Sequence, residues 1–283
     1  MQLISPNFSD IFSSNIEIGK FPDGDAHVRI PQLLECKGQE VTVFHRLYPK
    51  QNTSLVALLL ILDSLKQQGA KKVTVVVPYM PYARQDKKKL NGEVASAYVI
   101  CNLLARAGCD KLVTFDCHFL NKEGESKFGE LLIENISMGH ELAEYAKREA
   151  FGSEPCEIIS PDMGANYLVE KHGGKSFKKL RKDYDGEKIN YREVHSMDGD
   201  FEVKDKNVLL LDDMISTGDT MINALEKLQA AGAKKICCAA THGLFLYNGL
   251  DKMRKFTDCI FATDTIVNTQ ATVSVKEKLS TLK

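Results

Sequence analysis

The chain has 283 residues, enough for two domains of ordinary size. Its residues are 43% hydrophobic and 27% charged, and the formal net charge is −1. That balance excludes a broad basic footprint for nucleic acid or anionic membrane, so an anionic ligand has to be held by local groups.

In chain order, the first signal is the turn FPDGD at 21–25. VTVFHR (41–46) reads as a strand, and Asn52 or Thr53 caps a helix that runs to Gln68. The longest apolar run, 55–62, stops at Asp63, well short of the roughly 20 residues of a membrane span. One pattern then recurs at 63–78, 102–118 and 226–242: an amphipathic helix, a glycine, a basic or mixed pair, and an apolar run. Gly69, Gly108 and Gly232 can close their helices in the left-handed conformation, and the basic residues suit the negative helix end. The following runs, such as Val73–Val77, lack period-two alternation and read as strands buried on both faces. Helix followed by buried strand, repeated, predicts an α/β fold around mostly parallel sheets.

GAKK occurs at 69–72 and again at 232–235. It reads either as the trace of a duplicated unit or as a good helix-to-strand turn; the acidic strand ends in both halves favour duplication. The pattern breaks at KREAFGSEPCE (147–157), which divides the chain into domains 1–145 and 146–283. The N-terminus, MQLISPNFSD, carries neither a basic nor an apolar leader pattern, so no secretory signal is expected. Eight cysteines without a C-x-x-C pair read as reduced, structural thiols, which fits a cytoplasmic protein.

Five segments carry chemistry on their residues alone. In NVLLLDDMISTGDTM (207–221), residues Asn207–Leu211 read as a buried strand with Asp212 and Asp213 at its carboxyl end. Ser216, Thr217, Gly218, Asp219 and Thr220 then turn into a helix, a place where backbone N–H groups and the helix dipole favour phosphate. The two carboxylates are placed for sugar hydroxyls or a Mg²⁺-bound water. Asp219, an anion in an anion loop, either points outward or caps the helix. In VVVPYMPYARQDKKKLNGEVAS (75–96), Arg84, Gln85, Asp86 and Lys87–Lys89 follow a buried strand, and 92–108 reads as a helix. The lysines form a solvated face or supply the cations that a triphosphate needs. FDCH (115–118) and ISPDMG (159–164) place Asp116, His118 and Asp162 at two further strand ends; Asp162 reads equally as helix cap or ligand. FKKLRKDYDG (177–186) is a basic loop.

The 207–221 segment resembles the phosphoribosyl-diphosphate motif shared by phosphoribosyltransferases and ribose-phosphate diphosphokinases. The 75–96 passage is similar to the ATP loop of the diphosphokinases, which the transferases lack, so the chain as a whole, over roughly 15–265, resembles the ribose-phosphate diphosphokinase family. The resemblance implies two similar phosphoribosyltransferase-like domains, each a mostly parallel sheet flanked by helices. It implies ATP and ribose 5-phosphate as substrates, Mg²⁺ as cofactor, and no nucleic-acid or membrane partner. ATP contacts would come from Arg84, Gln85, Asp86 and His118, and from Phe21, Asp23 and Asp25 of a neighbouring copy in a homodimer or larger homo-oligomer. Asp212, Asp213 and 216–220 would hold ribose 5-phosphate, Asp116, His118 and Asp162 would contact metal, and Lys179 and Arg181 would act on the transferring group. The frame within 178–182 admits neighbouring lysines. Two departures stand out: Asp25 replaces the family's usual Glu, and FLNKEGESKFGE replaces the glutamine-rich, aromatic run that follows His118 in regulated members. A non-catalytic relative would have lost ligands that this chain retains.

Overall fold

The apolar runs of the sequence become the inner strands of two sheets. The computed structural model describes residues 1–88, 90–180, 196–198 and 201–282. The strands of the first half are β1 (Gln2–Ile4), β2 (Glu17–Lys20), β3 (Ala26–Arg29), β4 (Glu40–Phe44), β5 (Lys72–Val76), β6 (Lys111–Phe115), β7 (Gly124–Phe128) and β8 (Leu131–Ile136). Those of the second half are β9 (Cys156–Ser160), β10 (Lys175–Ser176), β11 (Lys178–Leu180), β12 (Ser196–Asp198), β13 (Asn207–Ile215), β14 (Lys235–Gly243), β15 (Ile260–Thr263) and β16 (Ala271–Val273). The helices are α1 (Gln51–Gln68), α2 (Ser96–Ala107), α3 (Gly139–Tyr145), α4 (Asn166–Glu170), α5 (Asp219–Ala230), α6 (Gly249–Met253) and α7 (Lys276–Ser280). None is long and apolar enough to cross a membrane among the described residues.

The chain divides into two compact units, Met1–Ile136 with Lys276–Lys283, and Ser137–Val275. Each is built on a six-stranded sheet, in the orders β1-β4-β5-β6-β8-β7 and β10-β9-β13-β14-β15-β16. All pairings in the second sheet are parallel, and in the first the edge strand β7 alone runs antiparallel. Glu125 and Lys127 of β7 are exposed, and Lys111 of β6 bridges Glu125 at 2.8 Å and Glu134 at 2.6 Å. Two hairpins stand apart from the sheets, β2–β3 in the first unit and β11–β12 in the second.

The cores follow from the patterning. Leu58, Ile61, Leu62 and Leu65 of α1 recur at helical spacing and are fully buried against Val41, Val43, Val73 and Val75. Each such side chain stabilises the unit by about 1.5–3 kcal/mol relative to exposure. In the second unit Leu225 and Leu228 of α5 join Val208, Leu210 and Ile236 of the sheet. Gly69 and Gly232 end α1 and α5 at φ of 85° and 81°, which directs the chain back into β5 and β14.

Several expected boundaries shift. α1 starts at Gln51, one position ahead of Asn52, with Lys50 as an N-cap that makes no side-chain bond; Asn52 lies inside the helix, where its side-chain Oδ1 accepts the Tyr82 hydroxyl. α2 starts at Ser96, after Gly92 turns the chain at φ 85°. β13 runs four residues past Leu211, because β14 extends beside it and pairs Asp212 with Ala240 and Ile215 with Gly243. The expectation of eight reduced thiols is corrected: Cys237 and Cys259 form a disulfide, while the other six cysteines are free. Parallel pairing of β14 with β15 sets residues 22 positions apart side by side, with Cα atoms 4.7 Å apart.

His45, just past β4, is buried and fixed in one neutral form. The Ser54 carbonyl can only accept, so Nε2–H donates to it at 3.0 Å and Nδ1 accepts from the Ser5 hydroxyl at 2.7 Å. Burial pushes its pKa from 6.5 down to about 4, against a smaller upward pull from the Ser54 bond. Between those values the unfolded chain binds a proton that the folded one refuses, so stability is intact above pH 6.5 and falls as pH drops toward 4. Going from pH 7.5 to 5 should therefore cost roughly 2 kcal/mol through this residue. Urea unfolding at both pH values should show that loss in wild type and its absence in His45→Gln, whose amide can keep both bonds.

Candidate active site

Most of the candidate residues lie at the carboxyl ends of the parallel strands of their unit, where open α/β sheets bind ligands, while Phe21, Asp23 and Asp25 lie in the β2–β3 hairpin and Lys179 on β11. In the second unit β13 delivers Asp212 and Asp213 inside the strand, 6% and 7% exposed, with the Asp213 N–H donating to Asp212 Oδ1 at 3.0 Å. The backbone that carries both carboxylates is fixed by the pairing of β13 with β14. Ser216 and Thr217 follow, then Gly218 at φ 85° and α5 from Asp219. The leading N–H groups of a helix have no partner within it, and together with the dipole they form a seat for an anion.

Asp219 does not occupy that seat. Its side chain is solvent-facing, accepts the Thr217 hydroxyl at 2.6 Å, and lies 4.0 Å from Lys252 Nζ. Thr220 is half-buried in the first turn of α5. The loop is braced from behind by the chain leaving β14. Leu244 and Phe245 donate their N–H groups to the Ile215 carbonyl, and Leu246 donates to the Ser216 carbonyl at 2.8 Å. Gly249 packs so closely that a Cβ there would fall 2.5 Å from the Thr217 carbonyl oxygen. Substitution at 249 has to move the loop. This brace went unread in the sequence; its signal was the glycine of NGL after an apolar segment.

Asp162, two residues past β9, caps the short helical turn 163–165 by accepting the Gly164 N–H at 2.7 Å. Lys179 lies on β11 opposite Met197 of β12. Arg181 and the rest of 182–186 lie outside the described residues, as does Lys89.

In the first unit, Arg84, Gln85, Lys87 and Lys88 are exposed and Asp86 is half-buried, all in the loop after β5. Gln85 ties this loop to α2: its Oε1 accepts the Ser96 hydroxyl at 2.9 Å and its carbonyl accepts the Ala97 N–H at 3.2 Å. Asp116 is fully buried at φ 32°, a backbone region that costs a non-glycine residue on the order of 1–3 kcal/mol and clusters at functional sites. His118 is exposed. Asn135 of β8, fully buried, fixes this turn: its Oδ1 accepts the Cys117 N–H at 2.8 Å, and its amide donates to the Lys122 carbonyl at 2.8 Å. Asn135 is a positioning residue that sequence reading missed; the one sign was a polar residue in the buried phase of LLIENI. In the β2–β3 hairpin Phe21, Asp23 and Asp25 are all exposed, and Asp23 spends a carboxylate oxygen on the Asp25 N–H at 3.1 Å.

Five of the free thiols are held in their protonated form by burial. Burial pushes Cys101 up to about 12 and drives Cys109 and Cys238 upward as well, and Cys36 and Cys156 shift the same way. Thiolate is the nucleophilic form, and these groups resist forming it.

Comparison with known proteins agrees with this layout. Residues 7–108 match the N-terminal domain of ribose phosphate pyrophosphokinase, and residues 174–274 match the phosphoribosyl transferase domain. The ribose-phosphate pyrophosphokinase of Sulfurisphaera tokodaii is 34% identical over 258 residues, covering 88% of this chain and 84% of that protein. That of Pyrococcus furiosus is 34% identical over 274 residues, covering 95% of this chain and 92% of that protein. The crystal structure of phosphoribosylpyrophosphate synthetase from Mycobacterium smegmatis superposes with a TM-score of 0.78 at 25% identity, over 100% of this chain and 96% of that one. With both halves of the architecture matched in order, and identity sustained over most of the length of each relative, this chain belongs to the ribose-phosphate pyrophosphokinase family.

Proposed function

We propose that the chain transfers the β,γ-diphosphate of ATP to the 1-hydroxyl of ribose 5-phosphate, giving phosphoribosyl diphosphate and AMP, a step that feeds nucleotide biosynthesis. The observation that carries this reading is the β13–α5 turn, where two buried carboxylates stand beside a braced anion seat. A transferase that consumes phosphoribosyl diphosphate would share that turn. The first unit's match to the pyrophosphokinase N-terminal domain favours the enzyme that makes it.

The N-terminal half, 1–145, serves the nucleotide, and 146–283 the sugar phosphate. Backbone N–H groups of Ser216–Thr220 hold the 5-phosphate, while Asp212 and Asp213 accept hydrogen bonds from ribose hydroxyls and orient the ring. Arg84, Gln85, Asp86 and His118 hold ATP. Phe21, Asp23 and Asp25 extend to the ATP site of a neighbouring copy in a homo-oligomer, a use supported by the exposure of all three. Lys179 and Arg181 neutralise charge on the transferring group. The ribose 1-oxygen forms a bond to the β-phosphorus, and the bond from that phosphorus to the α–β bridging oxygen breaks, its electron pair leaving with AMP. The hydroxyl proton passes to water. Such a reaction asks for alignment and charge neutralisation more than for covalent participation by protein groups.

Among the described residues no three His, Cys, Asp or Glu side chains converge as a closed metal cage. Mg²⁺ carried by a nucleotide needs one or two carboxylates besides phosphates and waters. Asp116 and His118 in the first unit, and separately Asp162 in the second, are each of a type that fits that mode, with His118 acting through water or a phosphate oxygen. When bound, the ion neutralises phosphate charge during transfer. A cytoplasmic setting accords with an ATP-consuming metabolic reaction and six free cysteines, although the Cys237–Cys259 bridge is unusual there.

Incubation with ATP, Mg²⁺ and ribose 5-phosphate should release AMP, detected by chromatography; release of ADP, or no turnover, rejects the reading. Lys179→Ala should lower kcat on the order of 10²–10³, the scale of one lost transition-state donor, with ATP affinity little changed. Near-wild-type turnover would assign that role to another lysine. Asn135→Ala should destabilise the protein by about 1–3 kcal/mol, because it strands the buried Cys117 N–H. It should also raise the KM for ATP while leaving that for ribose 5-phosphate alone, and steady-state kinetics with a melting curve check both.

A further inference from the structure

The chain that leaves β14 turns sharply behind the 216–220 loop, and three of its non-glycine residues take positive φ: Phe245 at 49°, Tyr247 at 52° and Asn248 at 58°. That region suits glycine, and asparagine tolerates it, but bulky side chains rarely enter it. Asn248 is of the tolerant type. Phe245 is held by packing: its ring joins the core cluster and lies so close to Gly243 that a Cβ there would sit 2.5 Å from Phe245 Cε2. Tyr247 has neither reason to be there. Its side chain is 74% exposed, and among the described residues no hydrogen bond or ring contact holds it. A bulky aromatic kept in a glycine conformation without packing points to a use outside the fold.

Its surroundings indicate that use. Leu246 on one side donates to the Ser216 carbonyl, and Gly249, two residues on, is pressed against the Thr217 carbonyl. Tyr247 is therefore anchored to the backbone of the anion seat through its neighbours on both sides. Met163 after β9 and Val267 after β15 are large apolar side chains exposed on the same carboxyl edge of the sheet. An anion seat made of backbone N–H groups binds any phosphate monoester and cannot select the sugar attached to it. An aromatic face next to the seat can, by packing on the C–H face of a furanose and excluding water from it.

We propose that Tyr247 is a specificity-determining residue, whose ring covers the ribose of a sugar phosphate held by Ser216–Thr220. This rests on the reading of that loop as the ribose 5-phosphate site. In the full-length enzyme, Tyr247→Gly should raise the KM for ribose 5-phosphate by about three- to tenfold, the range for one aromatic contact, and leave the KM for ATP unchanged. A smaller rise, or a parallel rise in both KM values, overturns the proposal. Glycine suits φ 52°, so the variant should melt no lower than wild type. Should it fail to fold, Tyr247→Trp decides. The chain has no other tryptophan, so emission from that variant should change saturably with ribose 5-phosphate in the presence of Mg²⁺ and a non-hydrolysable ATP analogue. Emission that ignores the sugar phosphate overturns the proposal. Absence of AMP formation by wild type would remove the underlying site reading as well, whereas an active wild type with an unaffected Tyr247→Gly variant removes the role of Tyr247 alone.

Discussion

The lacing of residues 244–246 onto the carbonyls of Ile215 and Ser216 is the contact on which the shape of the turn from β13 into α5 depends. A loop that carries backbone N–H groups toward an anion is useful only if those groups are already aimed. Otherwise binding has to meet the cost of ordering them. Here the loop is bonded to the next connection of the sheet, and Gly249 permits an approach that no side chain would allow. The same parallel extension of β13 and β14 that makes this lacing possible also draws Asp212 and Asp213 into the sheet. Anion seat and carboxylates are thus set by one structural decision, the length to which two strands run side by side.

The first unit reaches a comparable result by other means. Its loop after β5 is largely buried through Ala83 and exposed at Arg84, Gln85, Lys87 and Lys88, and it is restrained at points: Gln85 to Ser96, and the Tyr82 hydroxyl to the Asn52 side chain. The turn after β6 is rigid, with a buried left-handed Asp116 and an asparagine from the neighbouring strand bonded on both of its amide atoms.

Elements whose signal is local were legible in the amino-acid order. Val73–Val77 and Asn207–Leu211 are apolar without alternation and became inner parallel strands, and GAKK closed a helix at both of its occurrences. The turn from β13 into α5 was readable because small hydroxyl residues and a glycine follow two acids. What stayed hidden depends on which strands are neighbours. Asn135 reaches Cys117 across 18 positions, Cys259 lies opposite Cys237 across 22, and Leu246 bonds Ser216 across 30, none of which leaves a trace in the intervening residues. Asp162 shows a third case: a cap and a ligand use the same carboxylate, so its spacing could not separate them, and the structure has it accepting the Gly164 N–H.

The reversed direction of β7 has a bearing on how copies of this chain can meet. An open sheet edge invites a strand from another molecule, and self-association through such edges tends to run on without closure. In the first unit that border is a short strand whose outward carboxylate and ammonium groups would have to be stripped of water before another backbone could pair with it. Extension of this sheet from molecule to molecule is disfavoured on that side.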